Sequence, residues 1–145
     1  MTLTPQIVGQ AENAHLPVLA RILARTGTTK NQWVALTLTA AAGGSFDRDQ
    51  LAGRLHAALK IDDAAAATAI AELVDARLLV GAGTTVALTE QGAALHRQIR
   101  SAVDEVVARA YGGLPAEDLA TAARVLAVIT ERLNAETAET AAAAR

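Results

Sequence analysis

The chain contains no cysteine, which excludes disulfides and thiolate metal sites. Its only rings of the Phe, Trp or Tyr type are Trp33, Phe46 and Tyr111. A core with so few rings must rest on Leu, Ile, Val and Ala, which let helices approach closely but bury little area per residue. At 145 residues one ordinary domain can form, burying roughly 68–70% of its unfolded surface. The poor yield of its side chains nevertheless points to further burial between copies. Positive charge is not in excess: 13 Lys and Arg stand against 15 Asp and Glu, a formal net charge of −2. The whole chain therefore offers no field for nucleic acid, and any basic patch must be local. No apolar run approaches the ~20 residues of a membrane span. The start "MTLTPQIVGQ" lacks the basic and apolar segments of a signal peptide, so a cytoplasmic protein away from membranes is expected.

What is present is alanine and leucine, which favour helix nearly everywhere. The breaks are therefore more informative than propensity: Gly27, Gly43-Gly44, "GAG" at 81–83, and Gly112-Gly113 before Pro115. A first helix is expected from about Thr4 to Arg25, with Ile7, Ala11, Ala14, Val18 and Ile22 on one face. "TTKNQWVALTLTAAA" opens a second, where Thr29 and Gln32 have the spacing of a capping box. "SFDRDQLAGRLHAALK" opens a third, with Asp47 and Gln50 in the same relation. "IDDAAAATAIAELVDARLL" is a fourth, with Asp62 at its N-cap. Then the period changes. "LLV" at 78–80 and "VAL" at 86–88 flank a Gly/Thr loop and predict a small hairpin. Thr89 can cap a long fifth helix with a stripe of Leu88, Gly92, Leu95, Ile99, Ala102, Val106 and Ala110. Pro115 suits the first turn of a sixth, striped by Leu119, Ala122, Leu126, Ile129 and Leu133. The tail "AETAETAAAAR" has no large apolar group and is expected to fray.

Short helices followed by a hairpin make a winged helix-turn-helix. The fold class expected is thus all-α with a small β-hairpin wing, flanked by long terminal helices. Their apolar faces lack local partners, so a two-fold homodimer would cover them.

Conventional catalytic or metal constellations are weak. His15, His56 and His96 are far apart in sequence, and Glu12 with His15 forms a single E-x-x-H pair where a carboxylate-bridged site needs two such pairs and more. "GAGTT" is a turn without the lysine of a phosphate loop. No catalytic residue, metal ligand or cofactor is expected, and the chain does not read as an enzyme.

The order of elements and several stretches resemble the MarR family of winged-helix regulators. These are "NQWVALTLTAA" at 31–41, "LAGRL" at 51–55, "AELVDARLLV" at 71–80, "LTEQGAALHRQI" at 88–99 and "LPAEDLATAARVLAVITERL" at 114–133. The "LTEQG" after a hairpin is the most telling. The resemblance spans nearly the whole chain and implies one MarR-like domain over 1–145. Residues about 29–88 would form the winged part, with about 4–26 and 89–139 as dimerisation helices. It implies DNA contact through the fourth helix and the wing, and a small apolar or aromatic ligand near the junction with the dimer. It places the start of the second helix beside that crevice, making Trp33 and His15 the ligand-binding candidates. Read from the residues alone, Trp33 is most simply a core plug whose indole N–H wants a partner.

Two departures from the family pattern bear on DNA. The pattern's reading helix starts with small hydroxyl residues and carries arginines outward; here Asp62, Asp63, Ala64, Ala67 and Thr68 hold those places. The pattern's wing carries an arginine; here the loop is "GAGTT". The link "HAALK" also looks longer than the pattern. Base readout needs Arg, Lys, Asn or Gln, and affinity needs cations on phosphates. From 46 to 88 six acids face four bases. Arg48, Arg54 and Lys60 are the candidate phosphate contacts, with Thr68 the hydroxyl on the reading helix. The expectation is a homodimeric, ligand-responsive regulator with weak or unusual contact to duplex DNA. The alternative is a MarR-fold ligand-binding or protein-interaction scaffold that has lost DNA binding.

Overall fold

The computed structural model describes residues 1–145. Along the chain it forms α1 (Pro5–Ala24), α2 (Lys30–Ala41), β1 (Ser45–Asp47), α3 (Arg48–Leu59), α4 (Asp63–Asp75), β2 (Leu79–Ala82), β3 (Thr85–Leu88), α5 (Glu90–Tyr111) and α6 (Ala116–Ala143). Two units emerge, residues 1–106 and 107–145. No helix is long and apolar enough to cross a membrane.

Local chemistry sets the helix ends. Thr4 Oγ1 accepts from Ile7 N at the start of α1. Thr29 and Gln32 close a reciprocal capping box at α2. Asp47 caps α3 through Gln50 N at 2.9 Å, and Asp62 caps α4 through Ala65 N at 2.7 Å. Each cap satisfies an otherwise orphaned donor. The far end of α4 closes through Arg77 in the left-handed region at φ 61. Arg77 N donates to Val74 O, and Leu78 N donates to Leu73 O. This is a Schellman closure in which arginine stands where glycine is usual.

The core of the first unit is aliphatic. Ala35, Leu36, Leu51, Leu55, Ala66, Ile70, Leu73, Leu79 and Val86 interlock among α2, α3, α4 and the sheet. A second cluster joins Ile22 and Leu23 of α1, Trp33 of α2 and Ile99 of α5. The α5 stripe behaves as its spacing predicts through Val106: Gly92 and Ile99 are buried, and Leu95, Ala102 and Val106 are partly so.

The sheet holds one strand more than the hairpin. β1 pairs antiparallel with β3, Phe46 opposite Val86, and β3 pairs with β2 in the order β1-β3-β2. "SFD" is therefore a strand that runs directly into α3, not part of that helix. Three residues are too short for periodicity to register; pairing with β3 decides their conformation. The wing closes through Gly83 and Thr84, with Gly83 at φ 61, a conformation glycine adopts without strain.

In the second unit α6 continues through the tail to Ala143. The expectation of fraying there is corrected: Ala and Glu are strong helix formers, and the Thr137 and Thr140 hydroxyls donate back to Leu133 O and Glu136 O. Pro115 is the N-cap of α6, one position ahead of the first turn. No residue of α6 is buried. Tyr111, Leu114, Val125, Leu126, Val128 and Leu133 are all exposed.

Candidate functional site

The "LTEQG" stretch explains how the winged part meets α5. Thr89 Oγ1 donates to Arg77 O at 2.6 Å and accepts from Gly92 N at 2.9 Å, so one hydroxyl caps α5 and ties it to the end of α4. Gly92 sits where an added Cβ would lie 2.0 Å from Leu78 O. Only glycine permits that approach of backbone to backbone.

The helix-turn-helix consists of α3, a connection of Lys60, Ile61 and Asp62, and α4. The extra length of "HAALK" is absorbed as helix up to Leu59. Lys60 then turns the chain from the left-handed region at φ 55. His56 Nδ1 lies 3.5 Å from Asp63 Oδ1, linking the end of one helix to the start of the next. On α4, Ala66, Ala69, Ile70 and Leu73 face the core. The outward face carries Asp63, Ala64, Ala67, Thr68, Ala71, Glu72 and Asp75, all exposed. It has acids at both ends, alanine between them and no cation. Glu72 accepts from Gln32 Nε2 at 2.7 Å, so α2 holds it in place. The capping spacing of Thr29 and Gln32 was legible in sequence; this bond across forty residues had no local signal.

Arg48, Arg54 and Lys60 are all exposed, but Arg48 and Arg54 do not share one face of α3. Six residues advance an α-helix by about 600°, which leaves Arg48 and Arg54 roughly 120° apart around α3. Arg48 instead belongs with the wing. Its N donates to Thr84 O at 2.8 Å, and its Nη2 lies 3.0 Å from where a Cβ on Gly81 would stand. The uncharged hairpin thus has a guanidinium laid against it by the first residue of α3. Nothing in the sequence of the wing announced this.

The two ligand candidates occupy different environments. His15 is exposed on α1, its Nδ1 2.6 Å from Ala11 O. Trp33 is 7% exposed. Its ring stacks on His96 of α5, with centroids 5.1 Å apart and planes 21° from parallel. His96 Nε2 is sealed from solvent and has no hydrogen-bond partner in the protein. Its pKa lies below the ordinary histidine value, through burial first and then the charges of Arg100 and Arg97. Sequence reading named this histidine only as one of three and missed its pairing with Trp33. An open groove of about 520 Å³ lies elsewhere, lined by Arg77, Thr89, Glu90, Gln91 and Ala94. No group of His, Asp and Glu is arranged to hold a metal.

Solved structures supply the comparison. Ligand-free NadR is 25% identical, with a TM-score of 0.73 over 87% of this chain and 94% of that one; NadR is also known in complex with 4-hydroxyphenylacetate. A MarR family transcriptional regulator from Rhodococcus sp. RHA1 is 19% identical, with a TM-score of 0.72 over 86% of this chain and 91% of that one. CouR from Rhodococcus jostii RHA1, bound to p-coumaroyl-CoA, is 19% identical, with a TM-score of 0.71 over 86% and 88%. No family model matches the sequence, and no curated protein matches it. The chain therefore has the MarR-type winged-helix fold.

Proposed function

We propose that the protein is a homodimeric, ligand-responsive regulator that holds duplex DNA weakly and with little sequence preference. The observation that carries this reading is the division of charge within a MarR-type winged helix. Cations stand on α3 and against the wing, while the outward face of α4 offers acids and methyl groups. Arg48, Arg54 and Lys60 would contact phosphates, and Thr68 would be the single hydroxyl of the reading face. Alanine can touch a thymine methyl but cannot read a base edge. The free N–H groups that draw phosphate to a helix start meet a carboxylate here, because Asp62 occupies Ala65 N. The copies would pair through the apolar faces of α1, α5 and α6. An apolar or aromatic ligand would act through Trp33 and His15, and one taking the Trp33 face on which His96 stacks would displace that ring. The aromatic ligands in the NadR and CouR structures support that chemistry.

A salt titration on operator-like and random duplexes tests the reading. Each phosphate contact adds about 0.9 to the salt slope, so three per subunit give a slope near about −5 for a dimer. Replacing Asp62 and Asp63 with Ser removes four charges per dimer and should tighten binding to both duplexes. Nanomolar, sequence-selective binding by the wild type would place the reading surface elsewhere. The acidic face of α4 favours one rival, a scaffold for ligand or protein recognition without DNA. Absence of binding even at low salt, in the wild type and the double variant, would establish that rival.

A further inference from the structure

His96 is a half-buried titratable group, its Nε2 sealed from solvent, that neither the DNA contacts nor the dimer faces use. We propose that the His96–Trp33 stack is a proton-operated latch, seating α5 against α2 while the imidazole is neutral and loosening when it is charged. The surroundings of the ring carry the argument. A neutral imidazole has one donor and one acceptor nitrogen, whereas the charged ring has two donors. Nε2 is sealed and unpartnered; the neutral ring can leave that nitrogen bare, whereas the charged ring must hold an N–H there with no acceptor. Leaving such a donor unpaired is costly.

The charges around the ring act the same way. From its own helix it feels Arg100 and Arg97. Arg100 is bonded to Asp104 at 3.1 Å, and no carboxylate is among the charges acting on the imidazole. From α2 it meets the Trp33 ring. The members of that cluster from α1, Ile22 and Leu23, carry no charge. The remaining titratable groups on α1, α2 and the turn between them are exposed: Glu12 and Lys30 pair at 3.9 Å, and His15, Arg21 and Arg25 face solvent. Attraction of an imidazolium to the indole face opposes these effects. Burial, then Arg100 and Arg97, hold the imidazole pKa below 6.5. The sign follows. As pH falls through 6.5 the unfolded chain takes up a proton that the folded chain refuses, so stability is full above that value and declines below it. The decline stops once the folded ring is protonated too.

Trp33 is the only tryptophan and touches the ring directly, so its emission reports the latch. The intact protein is titrated from about pH 8 to about pH 5, because an imidazolium quenches indole more strongly than neutral imidazole. A single quenching step centred below pH 6.5 is expected, and it should vanish in His96→Phe, which keeps a ring but cannot titrate. Over the same range the wild type should lose roughly 3 °C more in Tm than His96→Phe. A midpoint at or above 6.5, unchanged emission, or the same pH dependence in both proteins would overturn the proposal. If His96→Phe does not fold, the wild-type His96 Cε1–H resonance, assigned against His15→Gln and His56→Gln, supplies the midpoint under the same criterion.

Discussion

Helices α4 and α6 are both rich in alanine, yet they occupy opposite extremes. α4, over Asp63–Asp75, buries Ala66, Ala69, Ile70 and Leu73. α6 is more than twice as long and buries nothing. Composition does not separate them, because alanine is as good a helix former in either. What separates them is the presence of neighbours. The small side chains of α4 let α2 and α3 come close enough for Leu36, Leu51 and Leu55 to be fully enclosed. Val125, Leu126, Val128 and Leu133 of α6 stand in solvent in a single copy. α4 is thus finished within one chain, whereas α6 is the face that the proposed dimer would cover.

The widest separation between the two should appear on truncation. Ile70→Ala should cost about 2–5 kcal/mol in urea unfolding at every protein concentration. Leu133, 60% exposed, should cost no more than about 0.5 kcal/mol as Leu133→Ala in dilute protein. Any larger loss should appear only at concentrations where copies meet, and light scattering of the same samples should register it. Equal, concentration-independent losses for the two variants would break the comparison.

A smaller effect tests how tightly the α4 end of the molecule is finished. Gly92→Ala drives a methyl into Leu78 O, and overpacking of this kind costs about 1–3 kcal/mol. Gly53→Ala on α3, where nothing lies within 4 Å, should stabilise by about 0.5–1 kcal/mol instead. Thermal melts of the two variants should move in opposite directions.

The smallest effect concerns the start of α4. Asp62→Ala removes the bond to Ala65 N and should cost about 1 kcal/mol. The start of α6 has no side-chain cap to lose, so Pro115→Ala should leave the helix start less affected. Circular dichroism melts measure both. A neutral Asp62→Ala would mean that packing alone, not the cap, sets where α4 begins.

Much of this was legible before any coordinates. The caps at Thr29, Asp47, Asp62 and Thr89 are local, each joining a side chain to a backbone amide three residues on, so residue type and spacing suffice. The apolar stripe of α5 was legible for the same reason. β1 was not, because three residues have no periodicity and only β3 makes them a strand. The candidate cations, Arg48, Arg54 and Lys60, could be picked out by residue type, but their arrangement was not legible. Whether Arg48 joins Arg54 or lies on the wing depends on how α3 meets the hairpin.

The chain by itself determined the order and ends of its helices, the lack of cations along the outward side of α4, and the excess of apolar faces over places to bury them. Those properties are written in residue type and in spacings of a few positions. Tertiary structure alone decided that Arg48 lies over Gly81, that Gln32 reaches Glu72, and that His96 closes over Trp33. These pairs are separated by 33 to 63 positions. Contacts at that distance form only where helices cross, and the crossing is set by the packing of the whole core.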